Sequence, residues 1–222
     1  RGRIFVPSAR VGALAGIVTV GDRAASAGLE DYRAERLAHL HISGIFLWML
    51  AAAAAGLVTA LMTRRAPLIR GSGIPQVKAY LMRRVPFDWV RELPLKFAGG
   101  SLALGAGLSL GREGPSIQLG SLVGVAVSDL AANKRYKRYL VTAGAAAGIS
   151  AAFNAPLAGV LFCVEELHRN ISPLMLTSTL IASFCANAVM WVFAGNEPVF
   201  SLGIVQDLPL SSYFTSVFVI GV

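Results

Sequence analysis

Charge is what this sequence has least of. Asp, Glu, Lys and Arg make up 14% of its 222 residues, against about 25% in an ordinary soluble domain. Hydrophobic residues make up 55% and the mean hydropathy is +0.63. That balance excludes a typical soluble globular domain and points to an integral membrane protein. Cysteine is also scarce. Cys163 and Cys185 both fall inside apolar runs and read as buried thiols, which excludes a disulfide framework. The three histidines, His39, His41 and His168, lie near predicted helix ends. No His, Cys, Asp or Glu cluster has metal-ligand spacing, and no phosphate-cradling G-x-x-x-x-G-K-[ST] occurs. Neither a metal nor an organic cofactor is therefore expected. No stretch has the short apolar core and processing site of a cleaved leader.

Acidic residues are the scarcer sign, 12 against 20 Lys and Arg, for a net charge of +8. In a soluble domain such an excess suggests nucleic acid. Here the cations cluster at Arg64-Arg65, Arg70, Arg83-Arg84 and Lys134-Arg135-Tyr136-Lys137-Arg138, each at the edge of an apolar run. They read as cytoplasmic loop anchors, with an inward-facing anion funnel as a secondary reading. No nucleic-acid partner is expected.

What the chain does have is long uncharged sequence. Residues 42–62 carry no charge and suffice to span a hydrocarbon core about 30 Å thick. Residues 139–164 and 170–196 are longer uncharged runs. The pattern predicts helices over 11–37, 41–63, 74–83, 88–110, 115–130, 139–154, 156–168 and 174–193, then a loop over 196–210 and a last helix from about 212. Spacing of the GxxxG kind at Gly12/Gly16, Gly107/Gly111, Gly120/Gly124 and Gly144/Gly148 predicts close helix packing. The first residue is Arg1 and the last, Val222, falls in an uncharged run. The expectation is a fragment lacking both ends.

Three breaks interrupt this apolar sequence, at Ser72, at Glu113 and at Pro156. Broken helices at membrane depth are tolerated where they line a cavity, and they mark substrate sites in transporters. Gly111-Arg112-Glu113-Gly114-Pro115 places two charges between the uncharged runs 97–110 and 116–128. A carboxylate in such surroundings costs several kcal/mol unless it is compensated. Pro115 suits the first turn of a helix, so Glu113 falls at a helix N-terminus, where backbone N–H groups stabilise a carboxylate or any other anion. The glutamate and an anion could then compete for one place, and protonation of Glu113 would vacate it. A plain cap with Arg112 paired elsewhere is the alternative.

Gly71-Ser72-Gly73-Ile74-Pro75 has the same grammar, and Ser72 offers a hydroxyl as anion ligand or as ordinary N-cap. Glu165-Glu166 ends the uncharged run 139–164. On a regular helix two neighbours point about 100° apart, so one could meet a basic partner and the other a hydrated proton path. Alternatively the helix has simply reached the membrane interface. Gly107-Leu108-Ser109-Leu110-Gly111 fits the G-x-S-x-G elbow of serine hydrolases, but it sits in a helical apolar run. No enzyme is expected.

Taken together, the segments 71–75, 111–115 and 144–166, with Leu93-Pro94-Leu95-Lys96-Phe97, resemble the CLC family of chloride channels and proton/chloride exchangers. The resemblance covers the chain from about Val11 onward. It implies an all-α integral membrane fold of tilted and broken helices, one half of an inverted repeat, with residues 1–222 as an N-terminal half truncated at both ends. It implies chloride and protons as the transported species. Ser72, Gly73, Ile74 and Gly114 would contact the anion, and serine at position 72 implies chloride preference where nitrate-preferring relatives carry proline. Glu113 would be the gating glutamate. Glu166 would transfer protons with Glu113, and Glu165 would be its structural neighbour. Gly71, Pro75, Gly111, Arg112, Pro115 and Ile117 would supply scaffold. An acid at position 166 implies a coupled antiporter, with a passive chloride channel as the alternative. The family's G-x-F-x-P motif and pore tyrosine are absent from this sequence, so a complete pore is not expected from it alone. A homodimer joined partly through residues 156–193, in a bacterial inner membrane, is also implied.

Overall fold

Runs of Ala, Gly, Leu and Val without interior charge form helices, and the computed structural model is helical throughout its regular parts. It describes residues 4–38, 42–108, 110–111, 113–131, 134–168 and 171–195, with no strand among them. The predicted loop over 196–210, the last helix, Arg112, Ser109, His39 and His41 lie outside the described residues. Eight α-helices follow in order: α1 (Phe5–Ala38), α2 (Ile42–Arg65), α3 (Ile74–Leu81), α4 (Trp89–Gly105), α5 (Glu113–Leu130), α6 (Lys137–Phe153), α7 (Pro156–Phe162) and α8 (Pro173–Ala194).

Several boundaries differ from the sequence pattern, each for a local reason. α1 begins at Phe5, not Val11, because Pro7 sits in its first turn, where a missing N–H costs nothing. α4 stops at Gly105 rather than Leu110. Gly107 takes φ 94°, and the N–H groups of Gly107 and Leu108 return to the carbonyls of Leu104 and Ala103 at 2.9 and 3.1 Å, a Schellman stop. Gly107 therefore ends a helix and Gly111 lies between α4 and α5, so this pair does not pack two helices together. α6 ends at Asn154 in the left-handed conformation, and Pro156 opens α7. Beyond Phe162 the backbone widens into a π-helical turn, Cys163–His168. The single helix expected over 156–168 is thus two kinds of helix, and Glu165 and Glu166 lie in the wider one.

α5 and α6 form the centre. Every residue of α5 from Ser116 to Ser128 and of α6 from Leu140 to Ala151 is buried. Their backbones approach closely because glycines face each other: a Cβ at Gly124 would stand 2.8 Å from Val141 Cα, and Gly120 and Gly144 touch across the same seam. α1 and α8 meet the same way, Gly16 lying against Ala186. One buried apolar cluster joins Val11, Val123, Ala143, Ala182 and Met190 across α1, α5, α6 and α8. A second joins Val77, Ile117, Val141 and Cys163 across α3, α5, α6 and the π-turn.

Among the described residues two helices are long and apolar enough to cross a membrane, α2 within residues 46–65 and α8. α2 keeps Phe46, Leu47, Met49 and Leu50 exposed, each above 60%, as a lipid-facing surface requires. α1, at 34 residues, runs about 50 Å, longer than a bilayer core.

Candidate functional site

The segment before α3 is a short 3-10 turn, Pro67–Ile69, followed by an irregular stretch to Gly73. Side chains from three helices hold it. Lys96 of α4, buried to 5% exposure, donates to the carbonyls of Ile69 (2.9 Å) and Gly71 (2.8 Å). Gln118 of α5 donates to Leu68 O at 2.7 Å, and Gln76 to Arg70 O at 2.5 Å. The carbonyls of four consecutive residues are thereby claimed by side-chain donors. What the turn offers outward is the start of α3, whose first N–H groups have no intrahelical partner. Its N-cap is Gly73, at φ 101° and without a side-chain cap, and Pro75 follows at the head of the helix.

α5 begins beside it. Gly114 lies on Ser72 so closely that a Cβ there would stand 2.7 Å from Ser72 Cβ. Gly73 likewise has no room for a side chain, since Gln118 would be 2.7 Å away. The starts of α3 and α5 open into one cavity of about 430 Å³, whose wall includes Gly71, Ser72, Ile74, Lys96, Gly111, Glu113, Gly114 and Pro115. Two helix N-termini, each equivalent to about half a positive charge, thus face one space, and Lys96, its ammonium bonded to the Ile69 and Gly71 carbonyls, lies in the wall.

Of the residues singled out in the sequence, Ser72, Ile74, Glu113 and Gly114 line this cavity together with Gly71, Gly111 and Pro115. Gly73 is buried beneath it and Pro75 is exposed at the head of α3. Glu113 is exposed rather than enclosed as its apolar flanks suggest. It belongs to the first turn of α5, at the open rim, while the buried part of that helix starts at Gly114. Its carboxylate folds back over Gly111, where a Cβ would meet Oε2 at 2.6 Å.

Glu166 lies elsewhere, in the π-turn. Its Oε1 accepts a hydrogen bond from Lys78 Nζ in an ion pair, with the two side chains 43% and 26% exposed. Lys78 stands one turn beyond Ile74, about 6 Å along α3. The same short helix therefore carries the cavity-lining turn at its head and the partner of Glu166 further along. Glu165 is exposed.

Gln118 and Lys78 lie outside the motifs read in the sequence, and Lys96 lies in the segment 93–97 without a role assigned to it there. Lys96 and Gln118 do leave a signal, Lys96 as the one charged residue of 93–110 and Gln118 as the one amide of 116–128. Lys78 leaves none.

Interrupted helices that meet head to head in a helical bundle define an integral membrane protein of the broken-helix type. The chain belongs to the voltage gated chloride channel (CLC) family, whose family model matches residues 50–222. It is similar to the H(+)/Cl(-) exchange transporter ClcA of Salmonella paratyphi B, 35% identical over 217 residues, a match covering 94% of this chain and 46% of that protein. ClcA of Salmonella schwarzengrund matches to the same extent. The chain thus spans about half the length of the curated relatives it matches. Among solved structures, a slow cyanobacterial Cl−/H+ antiporter superposes with TM-score 0.83 at 33% identity, covering 98% of this chain and 53% of that one. A CLC-type fluoride/proton antiporter superposes with TM-score 0.75 at 24% identity, covering 99% and 53%. That second likeness speaks to the fold alone.

Proposed function

We propose that this chain supplies the anion-gating half of a proton-coupled chloride antiporter. The observation that carries the reading is the meeting of the α3 and α5 N-termini around Ser72 and Glu113, with Glu166 tied to the same α3. Chloride would be held by the Ser72 hydroxyl and by backbone N–H groups at Gly73, Ile74 and Gly114, aided by the Lys96 charge. Arg112 belongs to the same motif as scaffold. An ionised Glu113 carboxylate is drawn to the same positive helix ends and competes with the anion. A protonated one loses that attraction and swings away, so proton uptake by Glu113 opens the site to an anion. Glu166, held by Lys78, hands protons toward that site. No step calls for a cofactor or for covalent chemistry, which suits a transporter and not an enzyme.

The relatives that carry exchanger names, and the share of them that this chain spans, support a single unit corresponding to about half of a CLC-type membrane domain. Leu157, Leu161, Phe184 and Trp191 of α7 and α8 are each more than half exposed. This apolar surface supports a homodimer joined through residues 156–193. The bacterial relatives support the inner membrane as its location.

The test is the reversal potential of full-length protein in planar bilayers under a pH gradient at fixed chloride. A shift with pH is expected for coupled exchange. A reversal potential that follows chloride alone would mean a passive channel of the same fold.

A further inference from the structure

A second cavity, about 820 Å³, lies at the basic end of the bundle. It shares no lining residue with the pocket at Ser72 and Glu113. It is enclosed by the end of α3, the start of α6 and the entry to α8. Arg83, Arg84, Arg135 and Arg138 line it. Among the described residues no carboxylate pairs with any of these four; the ion pairs found there are Lys78–Glu166 and Lys137–Asp129. Lys137, also on the wall, is already engaged: it donates to Asp129 Oδ1 at 2.6 Å. The Arg135 guanidinium lies over the Tyr136 ring, 5.7 Å from its centroid.

Backbone geometry adds to the charge. α6 and α8 both start on this wall, through Arg138 and Tyr139 of one and the N-cap Ser172 of the other. The N-cap of α6, Tyr136, provides no side-chain cap. A helix that starts at a cavity presents positive potential to anions, phosphate included. At α8 the Ser172 Oγ already accepts from the Met175 N–H and Pro173 has no N–H, so that start adds potential rather than free donors. Arg83 occupies the left-handed position that ends α3, at φ 59°, with its N–H returned to Tyr80 O at 2.9 Å and that of Arg84 to Ala79 O at 2.8 Å. Glycine is the usual residue there. The chain accepts that strain in an arginine whose guanidinium reaches the cavity.

The volume far exceeds one halide and falls in the range of small-molecule sites. Four unpaired guanidiniums suit an anion with several oxygens, because each forms two parallel hydrogen bonds to phosphate. Clusters of Lys and Arg face the cytoplasm in membrane proteins, and basic pockets between membrane helices on that side hold phospholipid head groups. We propose that this cavity is a binding site for a phosphate-bearing ligand, either the head group of an anionic phospholipid or a soluble phosphate compound. Tyr80 and His168 on its wall come two residues after Lys78 and Glu166, so an occupant would touch both segments that carry that ion pair.

Full-length protein purified in non-ionic detergent would be titrated with phosphatidylglycerol, phosphatidylcholine and inorganic pyrophosphate, with binding read by native mass spectrometry and calorimetry. We expect phosphatidylglycerol or pyrophosphate to bind and phosphatidylcholine not to. Binding of phosphatidylglycerol alone assigns a lipid site, and binding of pyrophosphate alone a soluble ligand. Arg84→Gln with Arg138→Gln should weaken binding at least tenfold, whereas Arg64→Gln with Arg65→Gln should leave it unchanged. Elution volume and helical circular dichroism report folding, and the single variants Arg84→Gln and Arg138→Gln serve if the double variant aggregates. Failure of both anionic ligands to bind overturns the site. So does equal weakening by the Arg64/Arg65 pair, which would reduce the effect to general surface charge.

Discussion

Lys78 and Glu166 are 88 residues apart in sequence, and the ammonium of the first donates directly to the carboxylate of the second. The bond ties α3, a helix of 8 residues, to the π-helical turn that follows α7. It gives the proposed proton donor a fixed address one turn below the anion pocket. A partly exposed ion pair contributes about 1 kcal/mol or less to stability, so its value here is positional.

Lys78→Met should lower proton flux several-fold while chloride flux stays within about twofold. Lys78→Arg should restore coupling, since it keeps the charge and the reach. Paired proton and chloride efflux from liposomes containing full-length protein measures the ratio. Equal loss of both fluxes would mean that Lys78 serves only to hold the fold together. The melting temperature of Lys78→Met should change by only a few degrees, because an exposed pair is worth so little.

Glu113→Gln removes the charge that competes with the anion and keeps the side-chain shape. Proton transport should vanish while chloride flux persists. Glu166→Gln should also stop proton movement and spare chloride, but for a different reason, since it leaves the gate intact and removes the donor. The two variants should therefore differ in their response to external acid, with chloride flux still pH-dependent in Glu166→Gln and pH-independent in Glu113→Gln. Undiminished proton transport in either variant would defeat the assignment.

Gly114→Ala places a methyl 2.7 Å from Ser72 Cβ and against the Ser72 backbone. The heads of α3 and α5 must separate. Overpacking of this kind costs about 1–3 kcal/mol, and chloride affinity should fall more than tenfold in calorimetric titration. A variant with normal affinity would show that the two helix heads need not touch to bind the anion.

Lys96→Met leaves the carbonyls of Ile69 and Gly71 without their donor. Hydrogen bonds from a charged group are worth about 1.5–3 kcal/mol each. The turn before α3 should loosen, visible as faster hydrogen exchange over residues 68–76, with exchange in α8 unchanged. Lys96→Arg should restore protection in part.

Gly120→Val should strike the α5–α6 seam, where even a Cβ would run into Gly144. The expected result is a fall in melting temperature larger than for Gly28→Val, a position with nothing within 4 Å of its Cβ site. Similar falls for both would mean that close approach of α5 and α6 is not what the glycine provides.

Membrane character, helix content and the three breaks were legible in the sequence because each rests on local chemistry. An uncharged run long enough to cross a bilayer can only be helix or closed barrel, and proline suits the first turn of a helix, as at Pro75, Pro115 and Pro156. The same local logic located Ser72 and Glu113 at helix heads. It failed where a boundary depended on a single φ angle, as at Gly107, and where a helix changed its winding, as at Cys163. It failed as well for the exposure of Glu113, since flanking hydropathy averages over a helix and cannot say which end faces the rim.

The sequence by itself determined the family and the motif residues, because Gly71–Pro75, Gly111–Pro115 and Glu165-Glu166 are contiguous in the chain and carry their meaning locally. Only the tertiary structure decided what meets what. It set Gly114 against Ser72, aimed Lys96 and Gln118 at the carbonyls of one turn, and joined Lys78 to Glu166. Those contacts link residues dozens of positions apart; the glycine spacing announces close packing in the sequence, but which helices and turns then meet is set by the whole fold.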